Sequence, residues 1–159
     1  MFRKIVWATD GSELAEQALP VAKSLAWRDG AELVVLHVDQ MLVGRAAGYA
    51  LLADEVDIGE KLKGEVAQLR ADGIDASLEI TGSTTTAVAD EIAQVARDVH
   101  ADLIVISTHA RGAVGTLVHG SVAKKLLHHA PCAVLVVPVV HLATEPKDAR
   151  SELPVRVPS

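Results

Sequence analysis

The sequence predicts an α/β domain built around an open parallel sheet. Five short apolar runs, rich in Val, Ile and Leu, alternate with four segments whose apolar residues have helical spacing. Most of the runs are continuously apolar, which is typical of parallel strands covered by helices on both faces. The chain has 159 residues, a length that corresponds to one domain.

The strands follow from the apolar runs. The third run alternates, with Ala76, Leu78 and Ile80 between polar residues. This alternation indicates a strand in which one face is more polar than the other. The other four are short, bounded by Gly, Asp or Pro, and rich in β-branched residues. The predicted strands are residues 4–8, 32–38, 75–81, 102–107 and 133–137.

The helices are bounded by recognisable start and stop residues. Ser12 is a plausible N-cap and Gly30 a stop for the first helix, whereas Pro20 inside it predicts either a kink or a later start. Gly73 ends the second helix, and residues 39–50 before it have no clear period. The predicted helices are residues 12–29, 53–72, 84–99 and 121–129.

Composition excludes several classes of protein. Half of the residues are hydrophobic but only 3% are aromatic, so the core is aliphatic. Fifteen basic residues against 21 acidic ones give a net charge of −6, which argues against a nucleic-acid partner. The single cysteine, Cys132, excludes an intrachain disulfide, and we interpret it as a structural thiol. No apolar run approaches the ~20 residues of a membrane helix, so we expect a cytoplasmic protein with no membrane partner.

The C-terminal part raises the question of how the last strand is covered. Residues 133–140 form an apolar stretch without charge, and a long apolar edge strand invites pairing with another chain. We therefore expect a homodimer through this strand; the alternative is that the tail folds back over it. We assign residues 1–140 to the domain and residues 141–159 to a polar tail, disordered or accessory, with Pro146, Pro154 and Pro158.

Two loops, those after the first and fourth strands, are the candidate sites. Ligands of open parallel sheets bind beyond the carboxyl ends of the strands, where the strand order reverses. The first loop is Thr9-Asp10-Gly11-Ser12. Asp10 could accept hydrogen bonds from a ribose or help hold a metal ion, but an Asp before Gly is also common turn chemistry.

The second loop, residues 107–121, contains Gly112, Gly115 and Gly120 and leads into a helix. A helix N-terminus presents free N–H groups to phosphate, so Ser121 could cap the helix, contact phosphate, or do both. The alternative is a flexible loop before an ordinary helix cap. No lysine follows Gly120, so this is not a Walker motif.

Metal and catalytic chemistry have weaker support. The seven histidines form no recognised metal pattern, although His109 and His119 share the glycine-rich loop. His128 and His129 are better explained as cations near a helix C-terminus. A serine triad from Ser121, His109 and Asp10 has no G-x-S-x-G motif to support it, so we predict no catalytic residues.

Three segments together resemble the universal stress protein family in its single-domain form. They are residues 4–12, residues 36–38, and the long stretch that runs from Ser107-Thr-His-Ala-Arg-Gly112 through Gly120-Ser-Val-Ala123 to residues 129–137. The resemblance implies a Rossmann-like open sheet of five parallel strands in the order 3-2-1-4-5, with helices on both faces. It also implies a dimer through the last strand.

ATP-binding members of that family carry G-x2-G-x9-G-[ST] after the fourth strand. The corresponding positions here are Ser107, Ala110, Gly120 and Ser121, so the last pair is kept and two glycines are replaced by small residues. Close backbone approach of a phosphate stays feasible if neither replaced position requires a positive φ.

The resemblance implies a role for each matching position. Ala8 and Asp10 would border the adenine and ribose, and Val38 would contact adenine through its backbone. Ser107 and His109 would line the nucleotide, Ala110 would border the phosphates, and the start of the last helix would bind them. The predicted nucleotide site comprises Ala8, Thr9, Asp10, Val38, Ser107, Thr108, His109, Ala110, Arg111, Gly112, Gly120, Ser121 and Val122.

These observations predict a stress-response protein that binds ATP between the two loops, with the nucleotide as a regulatory ligand. The absence of a strong general base and of a P-loop lysine predicts little or no turnover. Two alternatives remain: a nucleotide-free dimeric interaction module, and a slow ATPase in which Asp10 holds Mg²⁺.

Overall fold

The computed structural model describes residues 1–43, 49–51, 55–84, 87–108 and 121–138. The strands are β1 (Lys4–Thr9), β2 (Glu32–Val43), β3 (Tyr49–Leu51), β4 (Ala76–Thr84), β5 (Leu103–Thr108) and β6 (Ala133–Pro138). The helices are α1 (Glu13–Glu16), α2 (Leu19–Asp29), α3 (Glu55–Ala71), α4 (Val88–Asp98) and α5 (Ser121–His129). The predicted tail, residues 141–159, lies outside the described residues.

Five strands form a parallel sheet in the order β4-β2-β1-β5-β6. In terms of the predicted strands this order is third, second, first, fourth and fifth, so the predicted topology is confirmed. β1 lies at the centre, in register with β2 from Lys4 opposite Glu32 to Thr9 opposite His37. The strand order reverses between β1 and β5, which places a crevice at their carboxyl ends.

β2 is longer than predicted, and β3 was not predicted at all. β2 continues to Val43 because its backbone pairs with β4 as far as Met41 opposite Thr84. β3 then pairs antiparallel with residues 41–43 of β2. Residues 39–43 lack strand periodicity, so only these backbone pairings, with the distant β4 and the nearby β3, identify them as a strand.

The alternating side chains of the strands divide the core into two layers. Ile5, Trp7 and Leu33 pack against α2 and α3 on one face of the sheet. Val6, Val34 and Ile104 pack against α4 and α5 on the other. Both faces are therefore covered, as the continuously apolar strands predicted.

The predicted helix over residues 12–29 is two helices. The Oγ atom of Ser12 accepts a hydrogen bond from Ala15 N at 3.2 Å and caps α1, which ends after one turn. Pro20 is the second residue of α2, where a missing N–H costs no helical hydrogen bond, so the later start is the correct alternative. Gly30, with φ of 63°, ends α2 in the left-handed conformation.

Two carboxylates anchor the N-terminal residues at the amino end of the sheet, opposite the crevice. Oδ2 of Asp102 accepts hydrogen bonds from the backbone N–H groups of Arg3 (2.8 Å) and Lys4 (3.0 Å), and these bonds lower the pKa of Asp102. Asp29 accepts from Phe2 N at 2.8 Å and pairs with the Arg28 guanidinium, which lowers the pKa of Asp29 to about 2. Within the described part of the chain, no helix combines the length and apolarity that crossing a membrane requires.

Candidate functional site

A cavity of about 310 Å³ opens at the carboxyl ends of β1 and β5, beside the middle of β2. This volume lies at the lower end of the range for small-molecule sites. The helices that complete the wall are α1, α4 and α5. The described lining residues are Ala8, Thr9, Asp10, Ala15, Leu36, Val38, Val88, Ile92, Ile106, Ser107, Thr108, Ser121, Val122 and Ala123.

Much of the cavity wall is apolar. Ala8, Leu36 and Ile106 belong to the core layer that packs against α4 and α5, and they also line the cavity. Val88 and Ile92, four residues apart, bring the first turns of α4 to the same cavity. A wall of this kind suits an uncharged planar group that buries its faces against aliphatic side chains.

The polar part of the lining lies around the ends of β1 and β5 and the start of α5. Ser107 and Thr108 end β5, and Ser121 is the first residue of α5. The backbone N–H groups in the first turn of a helix lack helical partners and carry partial positive charge. Among the described lining residues there is no Lys or Arg, and Asp10 is the one carboxylate.

The turn from Thr9 to Ser12 is anchored by its own side chains. Oδ1 of Asp10 accepts from both the backbone N–H (3.0 Å) and the hydroxyl (2.6 Å) of Ser12. Oγ1 of Thr9 accepts from Gly11 N at 3.1 Å. Gly11 has φ of 75°, a conformation that favours glycine. The turn-forming role of Asp10 is therefore present in the structure, and it leaves Asp10 on the cavity wall.

Neighbouring elements complete this anchoring. The buried His37 of β2 donates from Nδ1 to the Thr9 carbonyl at 2.9 Å, and its Nε2 lies 3.4 Å from Oδ1 of Asp39. Lys61 of α3 donates from Nζ to the Gly11 carbonyl at 3.1 Å. The polar backbone atoms of the turn are thus bonded to β2 and α3, which restricts how far the turn moves.

The structure brings eight of the thirteen predicted site residues to this one cavity. They are Ala8, Thr9, Asp10, Val38, Ser107, Thr108, Ser121 and Val122. The other five, His109, Ala110, Arg111, Gly112 and Gly120, lie outside the described residues. That any of the thirteen contacts a ligand stays a prediction.

Six lining residues are not among those predicted from the sequence: Ala15, Leu36, Val88, Ile92, Ile106 and Ala123. For those on the strands a signal existed, because residues two apart on a strand share a face and Leu36 is two before Val38. For Val88 and Ile92 none existed, because helical spacing shows that they share a face but not which end of the sheet they reach.

Among the residues that the structure describes, the other candidate groups form no second site. The described residues contain no group of three or more His, Cys, Asp or Glu side chains placed to hold a metal ion. Cys132 is half-buried, and burial raises the pKa of its thiol, which disfavours the reactive thiolate. His128 and His129 occupy the last turn of α5, where cations are favourable.

Comparison with known proteins gives one consistent family. A family model described as Universal stress protein family matches residues 1–138. A universal stress protein of Thermus aquaticus is 36% identical over 140 residues, which cover 86% of this chain and 99% of that protein. A solved universal stress protein of Archaeoglobus fulgidus has 27% identity and a TM-score of 0.67, with 86% of this chain and 98% of that chain covered. The structure of the universal stress protein from Archaeoglobus fulgidus in complex with dAMP has 26% identity and a TM-score of 0.63, with coverage of 86% and 97%.

Proposed function

The chain belongs to the universal stress protein family, and we propose that it is a cytoplasmic stress-response protein that binds an adenine nucleotide, with ATP the expected ligand. The observation that carries the proposal is the cavity at the carboxyl ends of β1 and β5, beside the middle of β2. It combines an aliphatic wall with a polar rim at the first turn of α5. The dAMP complex of a relative with 26% identity supports the same class of ligand.

The lining predicts how the ligand lies. The base packs between Ala8 and Val38, and the ribose hydroxyls lie within reach of Asp10. The phosphates lie at Ser121 and Val122, where the N–H groups of the first turn of α5 donate to them. No described lining side chain is basic, so these N–H groups supply the positive potential for phosphate from the described part of the cavity.

The donor set fits Mg²⁺ only together with a nucleotide. Mg²⁺ in proteins is commonly held by one or two carboxylates, water and substrate phosphates. Asp10 provides the one carboxylate among the described lining residues, so the phosphates and water would supply the other ligands. When bound, the ion would neutralise phosphate charge near Asp10.

We propose that the nucleotide acts as a regulatory ligand. No described side chain of the lining is a histidine, lysine or arginine, the groups that commonly move protons or stabilise charge in phosphoryl transfer. The alternative is slow hydrolysis that uses Asp10 and Mg²⁺. Phosphate release that copurifies with the protein and disappears in Asp10→Asn would favour hydrolysis. Release that is lost on repurification would exclude it.

We also propose that two copies of the chain pair through β6. Within the described residues β6 pairs with β5 alone, so its other edge is open. Val134 to Val137 are apolar yet only half-buried. An edge of this composition is stabilised when a second strand covers it. Residues 139 and 140 of the predicted pairing segment lie outside the described residues.

The first experiment is to denature the purified protein and identify any released nucleotide by chromatography and mass spectrometry. We expect about one ATP per chain, or, for protein purified empty, a rise in the melting temperature with millimolar ATP and Mg²⁺. Protein that is empty and shows no thermal shift would contradict nucleotide binding. It would favour the second candidate, a nucleotide-free interaction module, for which the open edge of β6 is the supporting observation.

A further inference from the structure

The turn that carries Asp10 is anchored by α3, a helix with no described residue on the cavity wall. Nζ of Lys61 donates to the Gly11 carbonyl at 3.1 Å and forms an ion pair with the carboxylate of Glu16 in α1. Lys61 therefore joins three elements: α3, the turn after β1, and the helix that follows the turn. Glu16 N also donates to the Ser12 carbonyl at 3.1 Å, so both partners of the ion pair are bonded to the turn.

The charges around Lys61 favour this arrangement. The hydrogen bond with Glu16, together with the nearby charges of Glu65 and Glu13, raises the pKa of Lys61, so its ammonium group stays charged at neutral pH. A charged ammonium is a stronger donor to a carbonyl than a neutral amine. The side chain of Lys61 is 43% exposed, so its contribution is reduced by water and salt.

An apolar contact beside Lys61 also supports the turn. Ile58, three residues before Lys61, lies on the same side of α3 and packs against Gly11. Ile58 and Lys61 therefore both contact the turn at Gly11. Gly11 directly follows Asp10, which lies on the cavity wall.

We propose that Lys61 is a positioning residue of the cavity, which holds the turn against α3 and thereby places Asp10 relative to a bound nucleotide. The effect on affinity rests on the proposed nucleotide site, whereas the anchoring of the turn does not.

The test compares Lys61→Met with Lys63→Met on the same helix, where Lys63 pairs with the exposed Glu60 instead. Two quantities are measured: ATP affinity by calorimetry, and amide hydrogen exchange of residues 10–17 in the nucleotide-free protein. We expect Lys61→Met to weaken ATP binding about two- to fivefold, the size typical of a partly exposed ion pair. We also expect faster exchange in residues 10–17 with exchange in β5 unchanged, and partial rescue of both effects in Lys61→Arg.

The outcomes separate the two proposals. Normal exchange in Lys61→Met, or equal changes in Lys63→Met, would overturn the positioning role. A lower urea midpoint in Lys61→Met with unchanged ATP affinity would also overturn it, since that result describes a residue that only stabilises the fold. If the wild-type protein binds no ATP, the proposed function fails, and the exchange comparison still decides whether Lys61 anchors the turn.

Discussion

A Cβ atom added to Gly11 would lie 2.6 Å from Cγ2 of Ile58, closer than side-chain carbons approach in folded proteins. The turn after β1 and the helix α3 are therefore in contact at a point where only glycine fits. This contact, two residues from the end of the central strand, makes α3 part of the support of the candidate site.

The first prediction concerns this contact. We expect Gly11→Ala to lower the free energy of unfolding by about 3 kcal/mol, because it combines a positive φ with crowding against Ile58. Gly73→Ala is the matched control, since Gly73 has φ of 83° but open space where a Cβ would lie. We expect the control to cost about 1 to 2 kcal/mol. Urea denaturation of both variants measures the difference, and equal losses would show that Ile58 does not crowd the turn.

A further variant isolates the cause. In an Ile58→Ala background the crowding is removed, so the loss caused by Gly11→Ala should fall toward that of Gly73→Ala. An unchanged loss in this double-mutant cycle would contradict the close contact.

The second prediction concerns the first turn of α5. Ser121→Asp places a negative charge at a helix N-terminus, where it stabilises the helix by about 0.3 to 1 kcal/mol. The same charge repels phosphate, so we expect ATP affinity to fall about tenfold or more. Stability thus rises while ATP affinity falls, so unfolding cannot be the cause of the weaker binding. Ser121→Asn is the neutral control, and wild-type affinity in Ser121→Asp would place the phosphates elsewhere.

The third prediction concerns Glu65 of α3. Burial, and then the charge of Glu16, raise the pKa of Glu65, and its buried Oε2 atom has no hydrogen-bond partner among the described residues. As pH rises, Glu65 therefore ionises at a lower pH in the unfolded chain than in the folded protein. Its contribution to stability is lost as pH rises from about 4.5 through its raised pKa. We expect Glu65→Gln to gain stability relative to the wild type between pH 4.5 and pH 7. Chemical denaturation at several pH values measures this, and a pH-independent difference would contradict the raised pKa.

The fourth prediction concerns Asp29, whose pKa is shifted in the opposite direction to that of Glu65. Its pKa is lowered to about 2 by the Arg28 side chain and the Phe2 backbone N–H. Its contribution is present above the unfolded pKa of about 4 and is lost as pH falls toward 2. We expect Asp29→Asn to be less stable than the wild type at pH 7 and the difference to shrink below pH 4. A difference that persists unchanged to low pH would show that the charge of Asp29 is not the cause.

The fifth prediction concerns the open edge of the sheet. We expect the wild-type chain to be a dimer at micromolar concentration, and Val137→Lys in β6 to shift it toward monomer because a charge interrupts the apolar edge. Trp27→Lys is the control, since Trp27 is 73% exposed on α2 and belongs to another apolar surface. Sedimentation velocity measures both. If Trp27→Lys dissociates the dimer and Val137→Lys does not, the dimer interface lies on α2 and not on β6.

Much of the fold could be predicted because it depends on local patterns. The apolar runs identified five strands, and the range Ser121–His129 was predicted with the bounds that α5 has. The extension of β2 to Val43 and the short β3 could not be predicted, because their strand conformation depends on backbone pairing that leaves no periodic signal. β2 pairs with the distant β4, and β3 pairs with the nearby end of β2. Pro20 left two alternatives open, and only the packing of α2 selected the later start.

For the candidate site, the order of the apolar runs was enough to predict which loops meet. The carboxyl ends of parallel strands share one edge, so the residues after β1 and at the end of β5 had to lie together. The residues that close the cavity and those that support it depend instead on how the helices pack on the sheet. Val88 of α4 lines the wall and Lys61 of α3 anchors the turn through contacts between residues distant in sequence, and such contacts leave no periodic signal. Local spacing sets the type of each element, whereas the packing of helices on the sheet sets which side chains reach the site.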